Sequence, residues 1–393
     1  MIQDTKYKIQ NTKQLALTGG AAAAEALKQI NPDVMPVYPI TPQTPIIETF
    51  AKMVADGLAD TEIMEVESEH SAMSAAVGAQ AAGARAMTAT SSQGLALMSE
   101  ILPIASGLRL PILMFISARA LSAPINIHCD HQDVMAVRDL GWIQIFSESA
   151  QEVYDNAFIA LRLAEKTRLP AMVIMDGFTT SHSVENLEVL DTAAVRKFIG
   201  EYKPENYLLD TDNPVTFGPV GLPNSYFEFK RAQIEAMDGV IGEYIEICRN
   251  YVEVSGRDYD IFEGYNLDDA EKVIVVAGST AGTAKVVVDE LRERGEKVGL
   301  LKIKLFRPFP YGEIKKALEG KKRVAVLDRS VSFGSVAPLY GEIVNSTFRD
   351  DVQSCIFGLG GREIFGEDIA RVFEEMGDRG DRERKVVNYI GLK

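Results

Sequence analysis

The stretch Glu65-Val66-Glu67-Ser68-Glu69-His70, followed by the small-residue run from Ser71 to Ala86, decides how this chain of 393 residues is read. An apolar strand fits 62–66 and a helix fits 68–83. Ala, Gly and Ser on most faces of that helix let other backbones approach closely, unlike an ordinary surface element. A carboxylate fixed at the strand-to-helix junction would be rigid and partly dry, which raises its affinity for protons and suits it to exchanging one with a ligand nitrogen. Three glutamates within five residues also fit a solvated strand end, and the helix dipole favours Glu in a first turn. Spacing leaves both readings open, and the neighbouring segments have to decide between them.

Outward from this stretch the pattern alternates. An Ala-rich helix is predicted at 21–30, a short apolar strand at 34–38, a Pro-rich turn, and a helix at 44–55. Further strands are predicted at 85–90, 111–117, 142–146 and 171–176, with helices at 94–106, 133–139 and 150–166. Near-continuous apolar strands alternating with helices indicate an α/β fold with a mostly parallel sheet covered on both faces. Ligands then sit at the carboxyl ends of the strands. From Asp191 to Tyr265 the alternation stops in charged and Pro/Gly-bearing sequence, read as a connector with one helix at 226–252 over a partner subunit or between domains. A second alternating unit begins at Lys272, with strands at 273–277, 298–305, 324–327 and 354–357 and helices at 283–294, 311–319 and 336–348. The expected division is therefore 1–190, 191–265 and 266–393, a length that suits two domains.

A hydrophobic content of 46% supports a large core, and the formal charge of −15 argues against nucleic acid or an anionic membrane as partner. Cys129, Cys248 and Cys355 are far apart, with no C-x-x-C spacing for zinc or an iron–sulfur cluster. Apolar segments fall short of the roughly 18 residues of a membrane span, and the first fourteen residues lack an apolar leader, so a cytoplasmic protein is expected.

Several motifs carry candidate chemistry. In Tyr38-Pro-Ile-Thr-Pro-Gln43 two prolines stiffen the chain around Thr41 at a strand's carboxyl end, which would hold its hydroxyl in one direction. Arg119 emerges from an apolar strand and must find an anion, either a substrate carboxylate or one of the many glutamates. The turn Gly278-Ser-Thr-Ala-Gly-Thr283 could present N–H groups to a phosphate, but it lacks G-x-G-x-x-G and a Walker lysine, and plain turn geometry needs the same residues. His128-Cys-Asp-His131-Gln-Asp133 could be read as a metal site, yet it lacks a further ligand at an obvious spacing, and local hydrogen bonding is the reading preferred here. His70 and His182 stay ambiguous between proton shuttles and satisfied polar residues.

Together, Tyr38-Pro-Ile-Thr-Pro, Glu67-Ser-Glu-His, Thr90-Ser-Ser-Gln-Gly-Leu95, Ile116-Ser-Ala-Arg-Ala-Leu-Ser122, Asp130-His-Gln-Asp133 and Arg307-Pro-Phe-Pro310 resemble, in the same order, the alpha subunit of the pyruvate:ferredoxin oxidoreductase family. The resemblance covers nearly the whole chain and is weakest in the connector. It implies a thiamine diphosphate pyrimidine-type domain plus a smaller α/β domain like the C-terminal domain of transketolase. It implies that Glu69 binds the cofactor's aminopyrimidine ring and drives the tautomer that activates the thiazolium carbon. It also implies that Thr41 and Arg119 hold a 2-oxo acid, with Thr41 favouring pyruvate. The expected reaction is oxidative decarboxylation of pyruvate with coenzyme A to acetyl-CoA, electrons passing to ferredoxin, in either direction.

The chain contains no Gly-Asp-Gly of the kind that holds magnesium and diphosphate in such enzymes, and it cannot ligate a cluster. The resemblance therefore implies a beta subunit with the Mg2+ and diphosphate half and a [4Fe-4S] cluster, a gamma subunit, and a ferredoxin-like delta subunit, in a dimer of heteromeric protomers. The alternatives are a related ferredoxin oxidoreductase acting on 2-oxoglutarate, branched 2-oxo acids or aryl pyruvates, and a non-catalytic acidic scaffold.

Overall fold

Apolar runs in the first half of the chain, with one strand from the last third, build one sheet, and the computed structural model describes residues 12–376 and 387–393. The sheet orders Leu305–Arg307, Ile143–Phe146, Ala171–Asp176, Leu113–Ala118 and Met87–Thr90. All but the first run parallel to one another. Every residue of Leu113–Ala118 and Ala171–Asp176 is buried, as helices on both faces require. Val34–Val37 and Glu62–Glu65 pair in parallel and join this sheet through a bridge from Val34 to Ala86.

The small-residue helix spans Glu69–Ala82. At its start the Ser68 hydroxyl accepts the Ser71 N–H, and at its end Gly83 adopts φ +108°, a left-handed conformation that glycine enters without a Cβ penalty. Ala72, Met73, Ala76, Gln80 and Ala81 face the interior, so the small side chains serve close packing. Gly19–Ile30 and Ala150–Thr167 pack together on one side of the sheet, within a core that includes Leu27, Phe50, Phe115 and Phe158.

The second sheet orders Asn388–Tyr389, Gln353–Ile356, Arg323–Asp328, Lys272–Ala277, Val298–Ile303 and Phe262–Tyr265, parallel except for the last. The strand expected at 298–305 ends at Ile303. After Lys304 the chain crosses to the first sheet, where Leu305 pairs with Ile145 and buries Leu305 and Phe306. Phe262–Tyr265, in the segment read as connector, is an edge strand of the second sheet. The helix expected at 226–252 is two, Tyr226–Asp238 and Val240–Ser255, separated at Gly239. The first buries no residue, and the second packs Tyr244, Ile247 and Tyr251 inward. The helix expected at 94–106 is also two, Ser92–Met98 and Leu102–Gly107, because Pro103 has no N–H to donate to the carbonyl four residues back and so sits in the first turn of a new helix. Thr192–Ile199, Gly366–Glu375 and the antiparallel ribbon of Lys13–Thr18 with Val184–Val189 were not anticipated.

Two buried ionic clusters tie the units together. Lys302 reaches Glu148 at 2.5 Å and Glu152 at 2.8 Å, while Lys304 reaches Glu152 at 2.9 Å. Burial raises Glu152, but the ammonium groups of Lys304 and Lys302 overcome it and hold the carboxyl at about 2. The two lysines diverge. Three carboxylates around Lys302 outweigh its burial and raise it, whereas burial dominates at Lys304, which answers to Glu152 and is repelled by Lys302. In the other cluster, Asp176 at a strand end of the first sheet pairs with His131 at 2.7 Å and with Arg329 of the second unit at 2.9 Å.

Candidate active site

Of the three clustered glutamates, the fold buries one. Glu65 and Glu67 are exposed, and the Glu67 carboxylate accepts the Ser71 hydroxyl, whereas Glu69 is 7% exposed. Glu69 is the first residue of its helix, where the dipole favours an anion. Among the described residues its carboxylate has no hydrogen-bond partner. It lies against Gly94, where a Cβ would stand 2.7 Å from Glu69 Oε1. The Thr90 hydroxyl beside that glycine and the hydroxyl of the next residue, Ser91, are buried and likewise lack partners among the described residues. A buried acceptor and two unpaired hydroxyls together call for a polar ligand, since such groups are costly to leave unsatisfied.

Arg119 follows the Leu113–Ala118 strand and is 7% exposed. Among the described residues its guanidinium meets no glutamate; it donates to the backbone carbonyls of Thr41 at 2.8 Å and Asn126 at 2.9 Å. Burial lowers its affinity for the proton, with Asp133 opposing. A buried cation satisfied by carbonyls alone is poised for an anionic ligand. Thr41 stands directly beside it, exposed, on a turn fastened by the Gln43 side chain to the carbonyls of Tyr38 and Ala89 at 3.0 and 3.3 Å. Gly177 is required there, because a Cβ on it would stand 2.7 Å from the Pro42 ring.

Glu69, Thr41 and Arg119 thus gather at the carboxyl ends of Glu62–Glu65, Val34–Val37 and Leu113–Ala118, and the Ser91–Gly94 turn at the end of Met87–Thr90 lies between them. Beside Arg119 a cleft of about 910 Å³ opens between the units, lined by Ala120, Asn126 and Asp130 on one side and by Ser332, Phe333 and Gly360 on the other.

Other motifs resolve differently. The Gly278 turn meets an internal anion, since the N–H and hydroxyl of Ser279 both donate to Asp176, at 3.1 and 2.6 Å. His131 pairs with that same carboxylate across the fold and not within its own loop. His70 makes a surface pair with Glu100 at 3.2 Å, and the His182 ring contacts the Ser181 hydroxyl. Gly94 and Asp133 were present in the motifs but were assigned no role. Gly94, placed at a helix start by periodicity, is the third residue of Ser92–Met98, where a glycine costs about 1 kcal/mol and so points to close approach.

Residues 25–246 match the model of the pyruvate flavodoxin/ferredoxin oxidoreductase, thiamine diphosphate-binding family. The chain belongs to this family. Residues 270–369 match core domain II of pyruvate:ferredoxin oxidoreductase, so both units of this oxidoreductase chain are covered. It is 54% identical to pyruvate synthase subunit PorA of Thermotoga maritima, over 97% of this chain and 98% of that one. It is 41% identical to ketoisovalerate oxidoreductase subunit VorA of Pyrococcus abyssi, over 92% of each. Among solved structures it resembles the 2-oxoglutarate:ferredoxin oxidoreductase of Magnetococcus marinus with a TM-score of 0.76 at 21% identity, a likeness of fold that covers 92% of this chain and 65% of that one. Among the described residues no helix is long and apolar enough to cross a membrane.

Proposed function

We propose that this chain is the alpha-type subunit of a pyruvate synthase, in which pyruvate and coenzyme A give acetyl-CoA and CO2 and two electrons pass to ferredoxin, reversibly. The observation that carries this reading is the buried Glu69 carboxylate, unpartnered among the described residues, at the same set of strand ends as a buried arginine that pairs with no carboxylate there. Thiamine diphosphate, when bound, supplies the nucleophilic carbon and the electron sink for decarboxylation. The residues fit its aminopyrimidine end: Glu69 would hold a proton between its carboxylate and a ring nitrogen, and Gly94 leaves the space for that carboxylate. Arg119 would clamp the substrate carboxylate, and the Thr41 hydroxyl would hold its carbonyl oxygen. Closing these groups against a partner chain excludes water and strengthens both contacts.

The diphosphate and Mg2+ half and the [4Fe-4S] clusters belong, on this reading, to beta and ferredoxin-like delta subunits, with a gamma subunit completing a cytoplasmic assembly. The cleft beside Arg119 is the space this chain offers to coenzyme A. Burial of Glu69 speaks against a purely acidic scaffold, for which an exposed carboxylate is expected.

Glu69→Gln in the assembled complex tests the reading. Turnover is expected to fall at least 100-fold, with weaker cofactor retention, as for loss of a proton-transfer group; wild-type values for both would refute it. A profile over pyruvate, 2-oxoglutarate, ketoisovalerate and phenylpyruvate separates pyruvate from the related acids, with pyruvate expected to give the highest kcat/KM.

A further inference from the structure

Within the Asp130-His-Gln-Asp133 motif, Asp130 lines the cleft, while the Asp133 carboxylate lies beneath the site and touches no ligand space. Asp133 is 1% exposed. Its Oδ2 accepts two backbone N–H groups, from Ser92 at 2.8 Å and Arg119 at 3.0 Å, while Oδ1 accepts the N–H of Val134 at 2.8 Å. No ammonium or guanidinium pairs with it among the described residues, so backbone donors alone hold it. Burial pushes it up to about 7, against the pull of those donors and with a further push from Asp130.

The two N–H groups on Oδ2 belong to the two segments that carry the chemistry. One is the strand end from which the Arg119 guanidinium reaches the Thr41 carbonyl. The other opens the turn that places Gly94 against Glu69. Ser92 adopts φ +46°, a left-handed conformation unfavourable for a residue with a Cβ, and such strain persists where surrounding contacts over-determine it. The Ser92 hydroxyl also donates to the Ala120 carbonyl, joining the turn to the residue after Arg119. An apolar side chain of equal volume could fill the space of Asp133, but it would take the acceptor from three buried N–H groups.

We infer that Asp133 is a positioning residue for substrate capture: one carboxylate oxygen sets the register between the Arg119 strand end and the Ser92 turn, holding the guanidinium over Thr41. This rests on Arg119 being the substrate clamp, and the experiment separates the two claims.

Asp133→Asn, Arg119→Ala and the double variant are compared in the assembled complex by KM for pyruvate and kcat. Asp133→Asn is nearly isosteric but gives up one acceptor oxygen. It is expected to raise KM about tenfold, the equivalent of about one lost hydrogen bond, with kcat within about threefold. In the Arg119→Ala background it should change KM less than about twofold, because coupled residues are non-additive. An unchanged KM in Arg119→Ala refutes the clamp. A raised KM in Arg119→Ala refutes the positioning role alone if Asp133→Asn leaves KM unchanged, or raises it equally in both backgrounds. Should Asp133→Asn fail to assemble, Asp133→Glu decides, since it keeps a carboxylate but moves its oxygens by one methylene from the Ser92 and Arg119 N–H groups. A KM raised about threefold supports the inference, and an unchanged KM overturns it.

Discussion

Replacing Gly94 by Ala tests where the Glu69 carboxylate has to lie. A Cβ at residue 94 would stand 2.7 Å from Glu69 Oε1 and 2.8 Å from Glu69 Cγ, about 0.7 Å short of the 3.4 Å at which ordinary contact begins. The Thr90 hydroxyl is also in the way. Both side chains are buried, so neither can swing into solvent, and the carboxylate must retreat. A misplacement approaching 1 Å costs on the order of 100-fold in rate, and loss of a charged hydrogen bond costs about 1.5–3 kcal/mol. Folding should suffer less. Ala gains about 1 kcal/mol over Gly in a helix, and overpacking costs about 1–3 kcal/mol. Gly94→Ala is therefore expected to assemble with stability within about 2 kcal/mol of wild type, to turn over about 100-fold more slowly, and to retain thiamine diphosphate less well. Stopped-flow reduction of ferredoxin and calorimetric titration of cofactor measure the two effects. Gly78→Ala, in the Glu69–Ala82 helix where a new methyl meets nothing within 4 Å, is the control. If Gly94→Ala kept kcat within about threefold of wild type, the required position of Glu69 would be wrong.

Three further outcomes follow from other contacts. Thr41→Val, which removes a hydroxyl without changing volume, should raise the pyruvate KM about five- to tenfold in steady-state kinetics, in line with one lost hydrogen bond. Glu152 has a folded value near 2 against an ordinary 4.5, so its ion pairs with Lys302 and Lys304 stabilise the fold fully above pH 4.5 and lose that contribution as pH falls towards 2. The depression corresponds to about 3 kcal/mol, and denaturant titration of the full chain at pH 6 and pH 3 should show Glu152→Gln losing most of its deficit at the lower pH. Asp155 is fully buried and accepts from Tyr251, from Tyr259 at 2.6 Å and from Arg257 at 2.7 and 2.8 Å. Asp155→Asn should destabilise the chain by about 3 kcal/mol in the same titration, because the Arg257 charge keeps only Glu188, at 3.1 Å, as a carboxylate partner.

Composition and periodicity by themselves determined the α/β class and the two sheets, because strands buried on both faces must be written as apolar runs such as Leu113–Ala118 and Ala171–Asp176. The stiff turn around Thr41 and the arginine at a strand end were legible for the same local reason. Which of the three clustered carboxylates is buried was not legible from spacing. Glu65, Glu67 and Glu69 are chemically alike, and burial of one depends on Gly94, 25 residues further on, being small enough to receive it. The crossing of Leu305–Arg307 into the first sheet, the Asp176 carboxylate filling the Ser279 turn, and Asp133 joining Ser92 to Arg119 are likewise decided by tertiary structure. Each joins residues far apart in the chain through a hydrogen bond or a packing gap, and such pairings leave no periodic trace in the residues between them.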